Sequence, residues 1–162
     1  MSRPYRILFV CMGNICRSPA GEGVLRHLVA QRGLKDRLEV ASAGTIGYHR
    51  GNPPDRRMTA AAAQRAIHLE GVARQVHARD LESFDLILTM DEANYENVVA
   101  LDHAGEHRRK IRRFCEFCRN HEESEVPDPY YGGEAGFEKV LDLLEDGCHQ
   151  VLEHALAEQA QR

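Results

Sequence analysis

The chain has 162 residues, a net charge of −4 and a hydrophobic fraction of 43%. This is long enough for one domain with a full core, and the charge balance gives no global attraction for nucleic acid. The longest clean apolar run near the N-terminus, Ile7 to Val10, is too short for a signal-peptide core or a membrane span. The five cysteines, Cys11, Cys16, Cys115, Cys118 and Cys148, form an odd set. With no secretion signal they argue against a disulfide scaffold and for a reducing, cytoplasmic setting.

In chain order, Arg6–Cys11 predicts a short, fully buried strand of the kind found in parallel sheets. Ser18 is a natural helix N-cap, with Pro19 at the first helical position. The helix that follows presents Val24, Leu25, Leu28 and Val29 on one face, with Gly33 as its stop. Leu38–Ala41 predicts a weaker second strand, and the glycines and prolines of 44–54 a loop. Asp55 then caps a second helix through the alanines at 60–63 towards Leu69, ending near Gly71. Phe84–Met90 is a strong strand, after which Asp91 caps a third helix carrying Tyr95, Val98, Val99 and Leu101. Ile111–Phe117 is a further strand. An acidic loop at 122–136 turns rich in proline and glycine, and a long helix runs from Phe137 to about Ala160. Strands alternating with helices imply an α/β fold with a parallel sheet. No linker or repeat divides the chain, so residues 1–162 read as a single domain.

The chemistry concentrates at I-L-F-V-C-M-G-N-I-C-R-S-P, residues 7–19. In parallel sheets, sites form where strands end and helices begin, and Cys11 sits at that junction. The residues from Met12 through Gly13, Asn14 and Ile15 to Cys16 are suited to curl with their N–H groups inward, forming an anion nest. Gly13 permits close backbone approach and an unusual φ; Asn14 also tolerates the left-handed region. The following helix adds its positive end, and Arg17 a planar two-pronged grip on phosphate oxygens. A helix N-terminus, an arginine and N–H donors all favour a thiolate over a thiol. The same donors stabilise charge on the oxygens of a phosphoryl group under attack. A nucleotide-binding P-loop is a poor rival, because no G-K-[ST] follows.

A phosphate ester leaves poorly unless its oxygen is protonated, so an acid is needed across the pocket. Among 25 acidic residues, Asp128 between Pro127 and Pro129 stands out for its stiff surroundings, with a simple turn aspartate as the plainer reading. Tyr130 and Tyr131 follow it and could form flat apolar walls beside the pocket, unless one packs in the core.

The loop V-C-M-G-N-I-C-R-S-P resembles the active-site loop of the low-molecular-weight protein tyrosine phosphatases. D-P-Y-Y-G at 128–132 is similar to the loop carrying that family's general acid. S-A-G at 42–44, A-R-Q-V at 73–76 and T-M-D-E at 89–92 also match, in family order. The resemblance implies a three-layer fold, a four-stranded parallel sheet flanked by helices on both faces. It implies a phosphotyrosine phosphatase working through a phosphocysteine on Cys11, with Arg17 holding phosphate and Asp128 as acid, then base. It also implies that Ser18 donates to the Cys11 sulfur, that Asn14 and Ser42 brace the loop, and that Tyr48 forms a wall opposite Tyr130 and Tyr131. Asp91 resembles a family position near the site, although capping is an adequate role for it. Cys16 resembles a partner that shields the nucleophile through a reversible disulfide. Eukaryotic members carry a supporting histidine where this chain has Gly71; His68 is out of register. Ile15 replaces the threonine of the phosphoarginine branch and better suits a tyrosine ester.

The implied partner is a tyrosine-phosphorylated protein, with no cofactor or metal, no nucleic acid and no membrane, for a monomer or weakly associating chain. Cys115-x-x-Cys118 lacks the four well-placed ligands of structural zinc and leaves a local redox pair or no special role. The run R-R-K-I-R-R at 108–113 reads as a solvated edge, or a docking surface for an acidic partner. The rivals are an arsenate reductase, whose relatives carry resolving cysteines near 82–89 where this chain has none, and a phosphoprotein-binding module.

Overall fold

Ile7, Leu8, Phe9 and Val10 are fully buried on both sides of one sheet. The computed structural model describes residues 3–162. It places strand β1 at Tyr5–Cys11, helix α1 at Arg17–Gln31, β2 at Leu38–Gly44, α2 at Arg56–Ala63 and α3 at Ala78–Ser83. Strand β3 at Leu86–Thr89, α4 at Glu92–Val99, β4 at Ile111–Arg113 and α5 at Glu134–Ala160 complete the order. The sheet is parallel throughout, in the order β2-β1-β3-β4. Successive strand residues point to opposite faces. Ile7 and Phe9 accordingly join one core with residues of α1, α2 and α5, while Leu8 and Val10 join a second with Leu81, Phe84 and Val98. The three layers and four parallel strands are those the sequence and the resemblance implied.

The connection from β1 through α1 returns on one side of β1, and β3 lies on the other. The crevice between diverging connections is where open α/β sheets bind ligands. Register sets Val10 against Thr89, so the residues after each strand, Met12 onward and Asp91 onward, emerge side by side.

Several boundaries differ from the sequence expectation. Strand β2 continues past Ala41 to Gly44, because pairing with β1 residue by residue outweighs the poor strand propensity of Ser42, Ala43 and Gly44. Helix α2 stops at Ala63 instead of reaching Leu69. Ala66 turns left-handed at φ 62°, and Ile67 and Leu69 are buried against Gly23 of α1. Tertiary burial there overrides the helix preference of the alanines. Strand β4 ends at Arg113, and Phe114–Phe117 form a 3₁₀ turn that carries Phe114 under α5, against Gly147. Helix α3, unforeseen, is held by Asp80, which accepts from the His77 N–H and pairs with Arg74. Among the described residues no helix is long and apolar enough to cross a membrane.

Gly44 is where β2 meets the loop after β1. A Cβ there would lie 2.7 Å from the Met12 carbonyl oxygen and 3.1 Å from the Asn14 nitrogen, both backbone. Gly44→Ala is expected to cost about 1–3 kcal/mol, read as a lower urea midpoint, because backbone on both sides cannot yield cheaply.

Candidate active site

From Cys11 the chain folds into a tight loop that ends in α1. Its one left-handed residue is Asn14, at φ 59°. Gly13 does not adopt a positive φ, contrary to expectation; a Cβ there would lie 2.9 Å from the His49 ring, which would have to shift. Asn14 is 2% exposed and its amide is fully engaged. Its Nδ2 donates to Ser18 Oγ at 2.8 Å and to Ser42 Oγ at 3.0 Å, and its Oδ1 accepts from the Arg74 N–H at 2.9 Å. The Ser42 hydroxyl in turn donates to Glu22 Oε1 at 2.7 Å, and Glu22 pairs with Arg26. Burial pushes the Glu22 carboxyl above its ordinary range, against the opposing pull of Ser42 and Arg26. The bracing thus runs through Glu22, Ser42 and Asn14 and uses no histidine. Gly71 makes an open turn at φ 88°, and His68 is exposed beside Glu70.

Helix α1 begins at Arg17 with Cys16 as its N-cap residue, so Ser18 is not the cap. Its hydroxyl instead lies 3.0 Å from the Cys11 sulfur. Because Ser18 Oγ accepts from Asn14, its single proton is left for either the sulfur or the Ala43 carbonyl oxygen, 3.3 Å away. The Asn14 N–H also donates to Cys11 Sγ, at 3.3 Å. Cys16, five residues on, faces another environment: burial first, then Asp55, push its thiol strongly upward.

Arg17 is 3% exposed. Its Nη1 donates to Asp91 Oδ2 at 2.7 Å and to the Val126 carbonyl at 3.0 Å, and its Nη2 lies 3.7 Å from Asp128 Oδ2. Burial opposes the charge, but the Cys11 sulfur, Asp91 and Asp128 outweigh it and hold the guanidinium above its ordinary value. Asp91 does cap α4, through its other oxygen and the Asn94 N–H. Val126 donates its N–H to Met90 at the end of β3, anchoring the loop that carries Asp128. Asp128 is partly exposed and its Oδ1 accepts from the Tyr130 N–H at 3.0 Å, an Asx turn.

These groups enclose a cavity of about 60 Å³, lined by Cys11, Met12, Gly13, Ile15, Cys16, Arg17, Asp128, Tyr130, Tyr131 and His49. Asn14 and Ser18 lie beneath the loop as supports. Tyr48 does not line the cavity: it is 83% exposed and stands edge-on against His49, which occupies the wall facing Tyr130. Sequence reasoning missed His49 because the aromatic beside it drew the assignment; adjacent loop residues point in different directions, and only the fold decides which turns inward. A larger groove of about 570 Å³ between α1 and β2, near Arg26, His27 and His68, offers no thiol and no nest of N–H groups. Among the described residues no three His, Cys, Asp or Glu side chains converge as for a metal.

The model of the family described as low molecular weight phosphotyrosine protein phosphatase matches residues 6–162. A Synechocystis protein named as a low molecular weight protein-tyrosine-phosphatase is 49% identical over 147 residues, 91% of this chain and 94% of the relative. A protein tyrosine phosphatase from Entamoeba histolytica, solved with Hepes in its active site, superposes with a TM-score of 0.90 at 37% identity, covering 98% of this chain and 99% of that one. A Drosophila arginine phosphatase superposes with a TM-score of 0.85 at 30% identity, covering 91% of this chain and 96% of that one. The chain belongs to the low molecular weight phosphotyrosine protein phosphatase family, and its members are hydrolases.

Proposed function

We propose that this chain, acting as one domain, hydrolyses phosphotyrosine in proteins through a phosphocysteine intermediate on Cys11. The observation that carries the reading is the meeting of Cys11, Arg17 and Asp128 in one small cavity. Ser18 and the Asn14 N–H are placed to donate to the sulfur, so the nucleophile is held in a fixed position. The first N–H groups of α1 have no partner within the helix and point towards the cavity end, where an anion completes them. Arg17 contributes a planar pair of donors to the same anion. Hepes carries a sulfonate, and its presence in the active site of the Entamoeba relative agrees with an anion cradle.

In the first step Cys11 Sγ attacks phosphorus in line with the tyrosyl oxygen. The S–P bond forms as the P–O bond breaks, and Asp128 gives its proton to the leaving oxygen. In the second, water attacks the phosphocysteine. Asp128 takes the water proton, the P–S bond breaks, and phosphate and the thiolate are released. The loop N–H groups and Arg17 hold the phosphoryl oxygens through both steps, where charge builds. Tyr130 and His49 flank the substrate ring. Ile15, apolar and at the cavity wall, suits an aryl ester better than a guanidinium phosphate, which calls for polar partners.

Turnover of para-nitrophenyl phosphate and of a phosphotyrosine peptide tests the reading. Cys11→Ser is expected to abolish both, and hydrolysis at the unsubstituted rate would overturn the mechanism. Asp128→Ala is expected to lower kcat on the peptide by about 10²–10⁴-fold while inorganic phosphate still inhibits at similar concentration. The loss should be smaller with para-nitrophenyl phosphate, whose leaving group needs less help from an acid. A protein phosphoarginine substrate run in parallel separates the two branches; faster P–N than P–O cleavage would reverse the assignment of substrate.

A further inference from the structure

Among the described residues, five large hydrophobic side chains are exposed: Met12 at 44%, Ile46 at 40%, Tyr48 at 83%, Val72 at 65% and Tyr131 at 91%. All but Val72 lie on the loops around the cavity mouth. Met12 and Tyr131 line it directly. Ile46 is tied beside Met12, its N–H donating to the Met12 carbonyl at 3.1 Å. Tyr48 continues the same rim through a chain of ring contacts. Its ring lies 4.8 Å from His49, His49 lies 6.1 Å from Tyr130, and Tyr130 lies 5.0 Å from Tyr131. An apolar collar therefore surrounds an anion-binding hole.

Exposed apolar side chains scattered singly need no explanation, but a contiguous set marks a contact surface. The collar is continuous with the place where the phosphoryl group enters. A cavity of about 60 Å³ lined by Tyr130 and His49 takes the phosphoryl group and the face of its ring, so the residues on either side of the phosphotyrosine must rest on the rim. The nearest cation on the Tyr130 side, Arg57, is engaged by Asp55 and by the Tyr130 carbonyl, and its guanidinium lies over the Tyr130 ring. It packs into the collar in place of standing free to attract acidic neighbours.

We infer that the collar of Met12, Ile46, Tyr48 and Tyr131 is a docking surface for an extended substrate segment with bulky apolar residues beside its phosphotyrosine. The inference rests on the phosphatase reading and adds the substrate class that reading leaves open. Flanking leucine or phenylalanine side chains lose water against the collar, whereas serine or glycine neighbours gain nothing there.

Two phosphotyrosine peptides of equal length and net charge test this, one with Leu and Phe beside the phosphotyrosine, the other with Ser and Gly. Para-nitrophenyl phosphate turnover is measured first; its absence would remove the phosphatase reading and this inference with it. With that turnover present, the apolar peptide is expected to have a kcat/KM about tenfold higher, carried mainly by KM. Ile46→Ser is expected to shrink that preference several-fold and leave para-nitrophenyl phosphate turnover unchanged. Equal kcat/KM for the two peptides, or a preference unmoved by Ile46→Ser, would overturn the inference and leave the phosphatase reading intact. Sedimentation velocity supplies the other decisive outcome. A dimer of the unsubstituted chain that Ile46→Ser dissociates, with no peptide preference, would assign the collar to a second copy and overturn the substrate assignment.

Discussion

The guanidinium of Arg17 is a buried cation that groups from two separate parts of the chain must satisfy. Asp91 arrives from the end of β3, Val126 from the loop after the 3₁₀ turn, and Asp128 from two residues further on. Removing one partner of a buried charge commonly costs about 3–5 kcal/mol, a large fraction of a domain's stability margin. The demand for compensation is therefore strong enough to fix where the distant loop sits. In this fold it fixes it over Cys11. The proposed nucleophile and the proposed acid lie more than a hundred residues apart in sequence, and one side chain makes their meeting a condition of burying its own charge.

The loop itself depends on a second constraint, the left-handed Asn14. A non-glycine residue at φ 59° is held only when its surroundings over-determine it, and here the side-chain amide makes three hydrogen bonds to Ser18, Ser42 and the Arg74 backbone. Asparagine suits the position twice, because it tolerates the conformation and because its amide both donates and accepts. Gly44 leaves room for this arrangement by lacking a Cβ under Met12 and Asn14. The matched segments S-A-G and A-R-Q-V thus have a common physical meaning. They are the two stretches of chain that close around the underside of the loop.

What was legible in the sequence follows from the range of the forces involved. Strand β1, the loop and the long terminal helix declare themselves through local patterns, a buried apolar run and a repeating apolar face. Asp91 was legible as a cap, but its second oxygen, which binds Arg17, was not, because nothing local to residue 91 refers to residue 17. Glu22 escaped notice for the same reason: on a helix it reads as one more surface acid, until the fold turns it under Ser42. The end of α2 was misread because alanine propensity is worth tenths of a kcal/mol per residue, while burying Ile67 and Leu69 is worth on the order of 1.5–3 kcal/mol each. His49 and Tyr48 differ only in which way a glycine-rich loop turns them, and no periodicity exists there to decide it.

Cys11 and Cys16 show how far environment outranks residue type. Both are buried cysteines at opposite ends of one short loop. Donors converge on the first: the Ser18 hydroxyl and the Asn14 N–H, with Arg17 across the cavity. The second supplies the helix N-cap position, yet burial and Asp55 press its sulfur towards the protonated form. One loop therefore gives two sulfurs five residues apart opposite surroundings. The distinction comes from the curl that Asn14 enforces, since relaxing it would turn the same donors away from the Cys11 sulfur.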